Sequence, residues 1–179
     1  MRYIGYMTFA VGLLLSSCAA EEEPIIMDTP SDPDPEPTMF EAAPDFSIQT
    51  TTDQTLTLSQ FDDKVLVIFF FGADCPPCLR VGPDVESMLH QEFIGNENFA
   101  MIGADQWNLN DAAVDGFVAS TGITFDVGRM GASMASDFGT TFDRMVVLNR
   151  ESEIVYRSPS RVSGRLPEVI DIVKDLLEG

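Results

Sequence analysis

The sequence predicts an α/β domain with a mixed central sheet, helices on both faces and an N-terminal hairpin extension. Three observations predict it. Val65-Leu66-Val67-Ile68-Phe69-Phe70-Phe71 is apolar at every position, the pattern of a strand buried on both faces. A helical pattern follows, and then a second apolar run, Phe99 to Ala104; strands alternating with helices favour parallel pairing. Late in the chain, Met145 to Leu148 and Ile154 to Tyr156 flank Asn149 to Glu153, which reads as an antiparallel hairpin.

The elements follow in order. Phe46 to Thr50 and Thr55 to Leu58 alternate like a short hairpin, with Thr52-Asp53-Gln54 as its turn. Leu58-Ser59-Gln60-Phe61 then leads through Asp62-Asp63 to the Val65–Phe71 strand. The first long helix is expected from Pro76 to Phe93, with Val81, Val85, Met88, Leu89 and the pair Glu92-Phe93 inward. Pro83 falls inside it and predicts a kink or restart. Asp111 to Thr121 reads as a helix with Val114, Phe117 and Val118 inward, stopping at Gly122. Gly131 to Phe138 is a short helix. Pro167 to Leu177 is the last, with Val169, Ile170, Ile172, Val173, Leu176 and Leu177 on its apolar stripe.

The chemistry-bearing feature is Cys75-Pro76-Pro77-Cys78, set directly behind the Val65–Phe71 strand. In a helix the i and i+3 side chains share a face, close enough for a disulfide to close. A helix N-terminus points unpaired N–H groups and partial positive charge at the first sulfur, which favours its thiolate. Pro76 suits the first helical position, whose N–H the helix leaves unpaired anyway. Pro77 stiffens the same turn. Cys75, at the helix start, is expected to be the more exposed sulfur and the attacking one. A structural disulfide or an inert pair is the plainer alternative. Open α/β sheets place their sites at the carboxyl ends of central strands, where this dithiol falls.

Residues 1–17 read as a secretory signal peptide: Arg2, then the apolar stretch Ile4 to Leu15, then Ser16-Ser17. The apolar run is shorter than the ~20 residues a spanning helix needs. Leu15-Ser16-Ser17-Cys18 resembles the lipobox of bacterial lipoproteins, which implies acylation of Cys18 and an anchor in a membrane of the cell envelope. The chain has three cysteines, so a lipid on Cys18 leaves only the Cys75/Cys78 pair. Residues 18–43 read as a tether. From Glu21 to Asp45 there are nine acids, six prolines and no Lys or Arg, a composition that cannot bury enough apolar surface to fold.

Residues 44–179 are long enough for one core. The net charge is −19; from Phe46 onward 20 acids and nine bases leave −11. Such a surface disfavours nucleic acid and anionic headgroups. No phosphate loop or internal repeat occurs, and no cofactor is implied.

Phe70-Phe71-Gly72-Ala73-Asp74-Cys75-Pro76-Pro77-Cys78 resembles the F-W-A-x-W-C-x-x-C segment of thioredoxin-fold proteins. Ala43-Pro44-Asp45-Phe46 and Leu56 to Phe61 resemble the opening of redoxins and of the membrane-tethered TlpA/ResA-like branch. The resemblance implies a thioredoxin-like fold and a thiol–disulfide oxidoreductase with Cys75 and Cys78 catalytic. It implies exported proteins carrying cysteines or disulfides as partners, and a membrane electron donor that favours the reducing direction.

Several family helpers are absent. Asp74 stands where the family keeps Trp. Phe69 occupies the slot of a buried acid found in many thioredoxins, and Val81 that of a Glu common in the TlpA/ResA branch. Asp143 aligns with the cis-proline that faces the dithiol, and a trans bond is expected there because a non-proline cis bond costs about 3 kcal/mol. Asp74 and Asp143 are candidate proton acceptors for Cys78, and Arg80 a candidate counter-charge to Asp74; the alternative is that all three are solvated loop residues. His90 reads as a surface or half-buried residue, and Trp107 as packing. Three rival functions stand beside this one, among them a redox-dead binding module whose thiol accessibility would not change between oxidised and reduced buffers. A peroxidase would need P-x-x-x-T-x-x-C, but Ile68 and Gly72 fill those slots. A copper-binding assembly protein would use the thiolates as soft ligands, though such relatives use C-x-x-x-C and a distal His.

Overall fold

The structure, a computed structural model, describes residues 40–179. The signal segment, Cys18 and the tether up to residue 39 lie outside the described residues.

Strand β4 (Val65–Phe71) is the axis of the fold. Every residue of it is buried, and it pairs in parallel with β5 (Phe99–Asp105) and antiparallel with β7 (Arg144–Leu148). β6 (Asp126–Gly128) extends the sheet beyond β5. β8 (Glu153–Arg157) and a two-residue edge strand, β1 (Glu41–Ala42), extend it beyond β7. The order β1-β8-β7-β4-β5-β6 is the mixed sheet expected from the sequence. Glu41 and Ala42, counted with the tether by composition, thus pair with Ile154 and Glu153.

Period-two alternation splits β4 between two cores. Val65, Val67, Phe69 and Phe71 face the helical side, packing with Val81, Val85 and Leu89, with Val114 and Phe117, and with Val169 and Val173. These come from α1 (Pro76–Asp84) and its continuation, from α3 (Asp111–Thr121) and from α5 (Leu166–Glu178). Leu66, Ile68 and Phe70 face the other side. There they meet α4 (Ala132–Asp137), through Met134 and Ala135, and the separate hairpin β2–β3 (Ser47–Gln49, Thr55–Thr57), through Ile48 and Leu56.

Pro83 does not end the first helix. The chain stays helical to Phe93, widening to a π-helical turn over Val85–His90 before α2 (Gln91–Phe93). Proline removes an amide and crowds the carbonyl one turn back, and a wider turn accommodates that without a break. The changed phase corrects the expected stripe: Met88 is 48% exposed and Glu92 is also exposed, whereas Glu86 and His90 are buried. The buried His90 also corrects the surface reading. Its Nδ1 lies 3.2 Å from Glu86 Oε2, and Glu86 also accepts from the Thr124 amide and hydroxyl and from Gln91. Gly82 lets α1 approach α3, since a Cβ there would fall 2.5 Å from Thr121 Cγ2. Helix α3 ends as expected, with Gly122 left-handed at φ 70°.

Candidate active site

Strand β4 ends at Phe71, and a three-residue link, Gly72-Ala73-Asp74, delivers Cys75 to the start of α1. Cys75 is the N-cap in extended conformation, with Pro76 and Pro77 filling the first two helical positions. Two amides that would have no helical partner are therefore absent. The next amide, of Cys78, points at the Cys75 sulfur at 3.4 Å. The two residues form a disulfide with Cα atoms 5.2 Å apart, within the ordinary range. Both are buried, at 1% and 0% exposure, which corrects the expectation of a distinctly exposed Cys75. Position, not exposure, distinguishes it: Cys75 caps the helix while Cys78 lies one turn inside.

The linking loop is held by a residue that the sequence reading passed over. Asp105, the last residue of β5, is fully buried. Its Oδ1 accepts from the amides of Ala73 and Trp107, and Oδ2 from the amide of Leu109. One carboxylate thus ties the cystine loop to the loop after β5. Gln106 extends the tie, its amide donating to the Phe71 carbonyl and its Oε1 accepting from the Phe142 amide. The signal in the sequence was an acid ending an otherwise apolar strand, one residue past the boundary expected for β5.

Trp107 packs, as expected, but on the site itself. Its indole lies against Gly72 and meets Phe142 edge-on, with centroids 5.0 Å apart, while staying 39% exposed. Asp74 and Arg80 are both exposed, and no ion pair joins them among the described residues. Arg80 instead lines a cleft of about 200 Å³ with Pro77, Val81, Asp84, Arg161 and Ser163.

Asp143 is not a solvated loop residue. It is 1% exposed and sits in the left-handed region at φ 54°. The described residues contain no cis peptide, in line with the trans bond expected at this slot. The carbonyl and Oδ1 of Asp143 both take the Val162 amide, holding the turn Val162–Gly164. Burial pushes its carboxyl up from the ordinary 3.8, against the lowering by the Val162 amide and by Arg161, Arg144 and Arg80. Among the described residues no group of three or more His, Cys, Asp or Glu could hold a metal ion.

The Redoxin family model matches residues 41–174, well over half of the 179. The chain belongs to the Redoxin family. No curated protein matches it. Among solved structures, this redoxin is similar to a candidate protein disulfide isomerase from Bacteroides thetaiotaomicron, at 27% identity and TM-score 0.71, over 79% of this chain and 91% of that one. A thiol-disulfide oxidoreductase from Bacteroides fragilis is 21% identical at TM-score 0.61, over 72% and 99%. A candidate thiol:disulfide interchange protein DsbE from Chlorobium tepidum is 15% identical at TM-score 0.67, over 77% and 96%. The last two likenesses establish the thioredoxin-like fold. Family and fold together make this redoxin an oxidoreductase of the thiol–disulfide class. No helix among the described residues is long and apolar enough to cross a membrane.

Proposed function

We propose that the protein exchanges its Cys75–Cys78 dithiol with disulfides of exported proteins, as a reductant held at a membrane of the cell envelope. The observation that carries the reading is the cystine itself, capping a helix at the carboxyl end of the central strand. As a dithiol, Cys75 attacks a partner disulfide as thiolate and forms a mixed disulfide. Cys78 then attacks Cys75, the partner leaves reduced, and the Cys75–Cys78 bond remains. Pro76 and Pro77 fix the helix start, so the two sulfurs are pre-set for the second attack.

The reducing direction, the membrane electron donor and the anchor at Cys18 rest on the likeness to the TlpA/ResA branch and on the Leu15-Ser16-Ser17-Cys18 ending. Similarity to a candidate protein disulfide isomerase and a candidate interchange protein supports the partner class. The peroxidase alternative gains no support, because the buried Ile68 and Gly72 occupy its proline and threonine slots.

Trapping tests the assignment. Reduced Cys78→Ser protein mixed with oxidised insulin should accumulate a mixed disulfide through Cys75, and Cys75→Ser should accumulate none. Equal trapping by both variants would contradict the roles given to the two sulfurs.

A further inference from the structure

The second attack requires Cys78 to lose a proton, yet both slots where relatives keep an acid hold buried apolar residues, Phe69 and Val81. Two carboxyls are buried at this end of the sheet. Asp105 is occupied by three amides. Asp143 is not: its Oδ1 accepts one amide, and its Oδ2 is buried with no hydrogen-bond partner. Arg161 Nε stands 3.8 Å from that oxygen, beyond hydrogen-bond range. A buried acceptor left open is costly and calls for a role.

Register and packing bring Asp143 to the dithiol helix. Arg144 pairs with Phe70, so Asp143 stands level with the end of β4, where the chain turns toward Cys75. The Val162–Gly164 turn that Asp143 holds packs on α1. The cleft between turn and helix is lined by Pro77, Arg80 and Val81 on one side and Arg161 and Ser163 on the other. Cys78 lies between Pro77 and Val81 and shares the buried face of α1 with Val81.

We propose that Asp143 accepts the Cys78 proton in the resolving step, from the position where relatives carry the proline facing the dithiol. This rests on the exchange reading above. In the mixed disulfide, the Cys78 thiol passes its proton to the Asp143 carboxylate. The Cys78 thiolate attacks the Cys75 sulfur, a Cys75–Cys78 bond forms, and the bond between Cys75 and the partner breaks. The partner sulfur leaves with the electron pair and takes a proton from Asp143 or from water in the cleft. The dithiol loses two electrons and the partner disulfide gains them. The charged groups facing the carboxyl are Arg144, the next residue and the first of β7, Arg161 before the turn and Arg80 on α1, with Asp84 across the cleft. Burial outweighs those cations, and a base poised closer to the thiol transfers a proton more readily.

The test uses the reduced full chain carrying Cys18→Ser, so that Cys75 and Cys78 are its only thiols, and one equivalent of 5,5′-dithiobis(2-nitrobenzoate), which releases one thiolate when Cys75 attacks and a second when Cys78 resolves. Asp143→Asn keeps the Oδ1 acceptor and a residue type that tolerates positive φ. At pH 6 to 7 it should slow the second release about 100-fold, the scale of a lost general base. That release should then rise about tenfold per pH unit, as for a thiol ionising directly into solvent. Asp143→Glu should regain part of the rate, and Asp137→Asn, exposed on α4, should match the parent. A second release unchanged in rate and pH profile in Asp143→Asn would overturn the proposal and leave the exchange reading intact. Loss of the second release in Cys78→Ser supports that reading, and its persistence there would overturn the reading itself.

Discussion

The indole of Trp107 covers Gly72 so closely that a Cβ on residue 72 would fall 2.4 Å from Trp107 Cδ2. The family's tryptophan before the first cysteine is absent, yet an indole still lies on the cystine loop, supplied by the loop after β5. Gly72→Ala must displace that ring, and the overpacking should cost about 1–3 kcal/mol. Urea unfolding should show a lower midpoint at unchanged slope. Emission from the chain's one tryptophan should shift to the red as the ring gains solvent. An unchanged midpoint and spectrum would show that the contact does not constrain the loop.

Asp105 links that loop to the cystine loop through three amides. Asp105→Asn turns an NH₂ toward at least one of those donors. It should destabilise the fold by about 1–3 kcal/mol. It should also loosen the link to Ala73, so reduced Cys75 reacts faster with iodoacetamide in the native state. Unaltered alkylation with unaltered stability would contradict this role of Asp105.

Glu86 sets part of the acid limit of stability. Burial alone would push its carboxyl up, but hydrogen bonds from Thr124, Gln91 and His90 outweigh that and hold it below the ordinary 4.5. Between the folded and unfolded values the unfolded chain binds more protons. The contribution is therefore complete above about pH 4.5 and fades as pH falls through the folded value. Glu86→Gln should unfold more readily at neutral pH and lose less stability between pH 5 and 3. Parallel stability curves for the two proteins would contradict this.

Much of this fold was legible because its strongest signals are local. Seven apolar residues in a row read as a doubly buried strand, and the end of α3 followed from Gly122, which closes its last turn. What escaped was set by tertiary context. β6 and β1 have three and two residues, too few for alternation to register. The π-helical turn after Pro83 re-phased the helix, burying Glu86 and His90 and exposing Met88. At the site, the CxxC spacing gave the cystine directly. The burial of Asp143, the ties of Asp105 and the placement of Trp107 on Gly72 depend on loops from distant parts of the chain.

A Cys75–Cys78 dithiol that acts as a reductant must have a low reduction potential. Equilibrating the Cys75–Cys78 pair against glutathione measures its potential. A value near −270 mV, typical of thioredoxin-like reductants, is predicted. A value near −120 mV would make the protein an oxidant, and failure of the pair to cycle at all would contradict the assignment of the site.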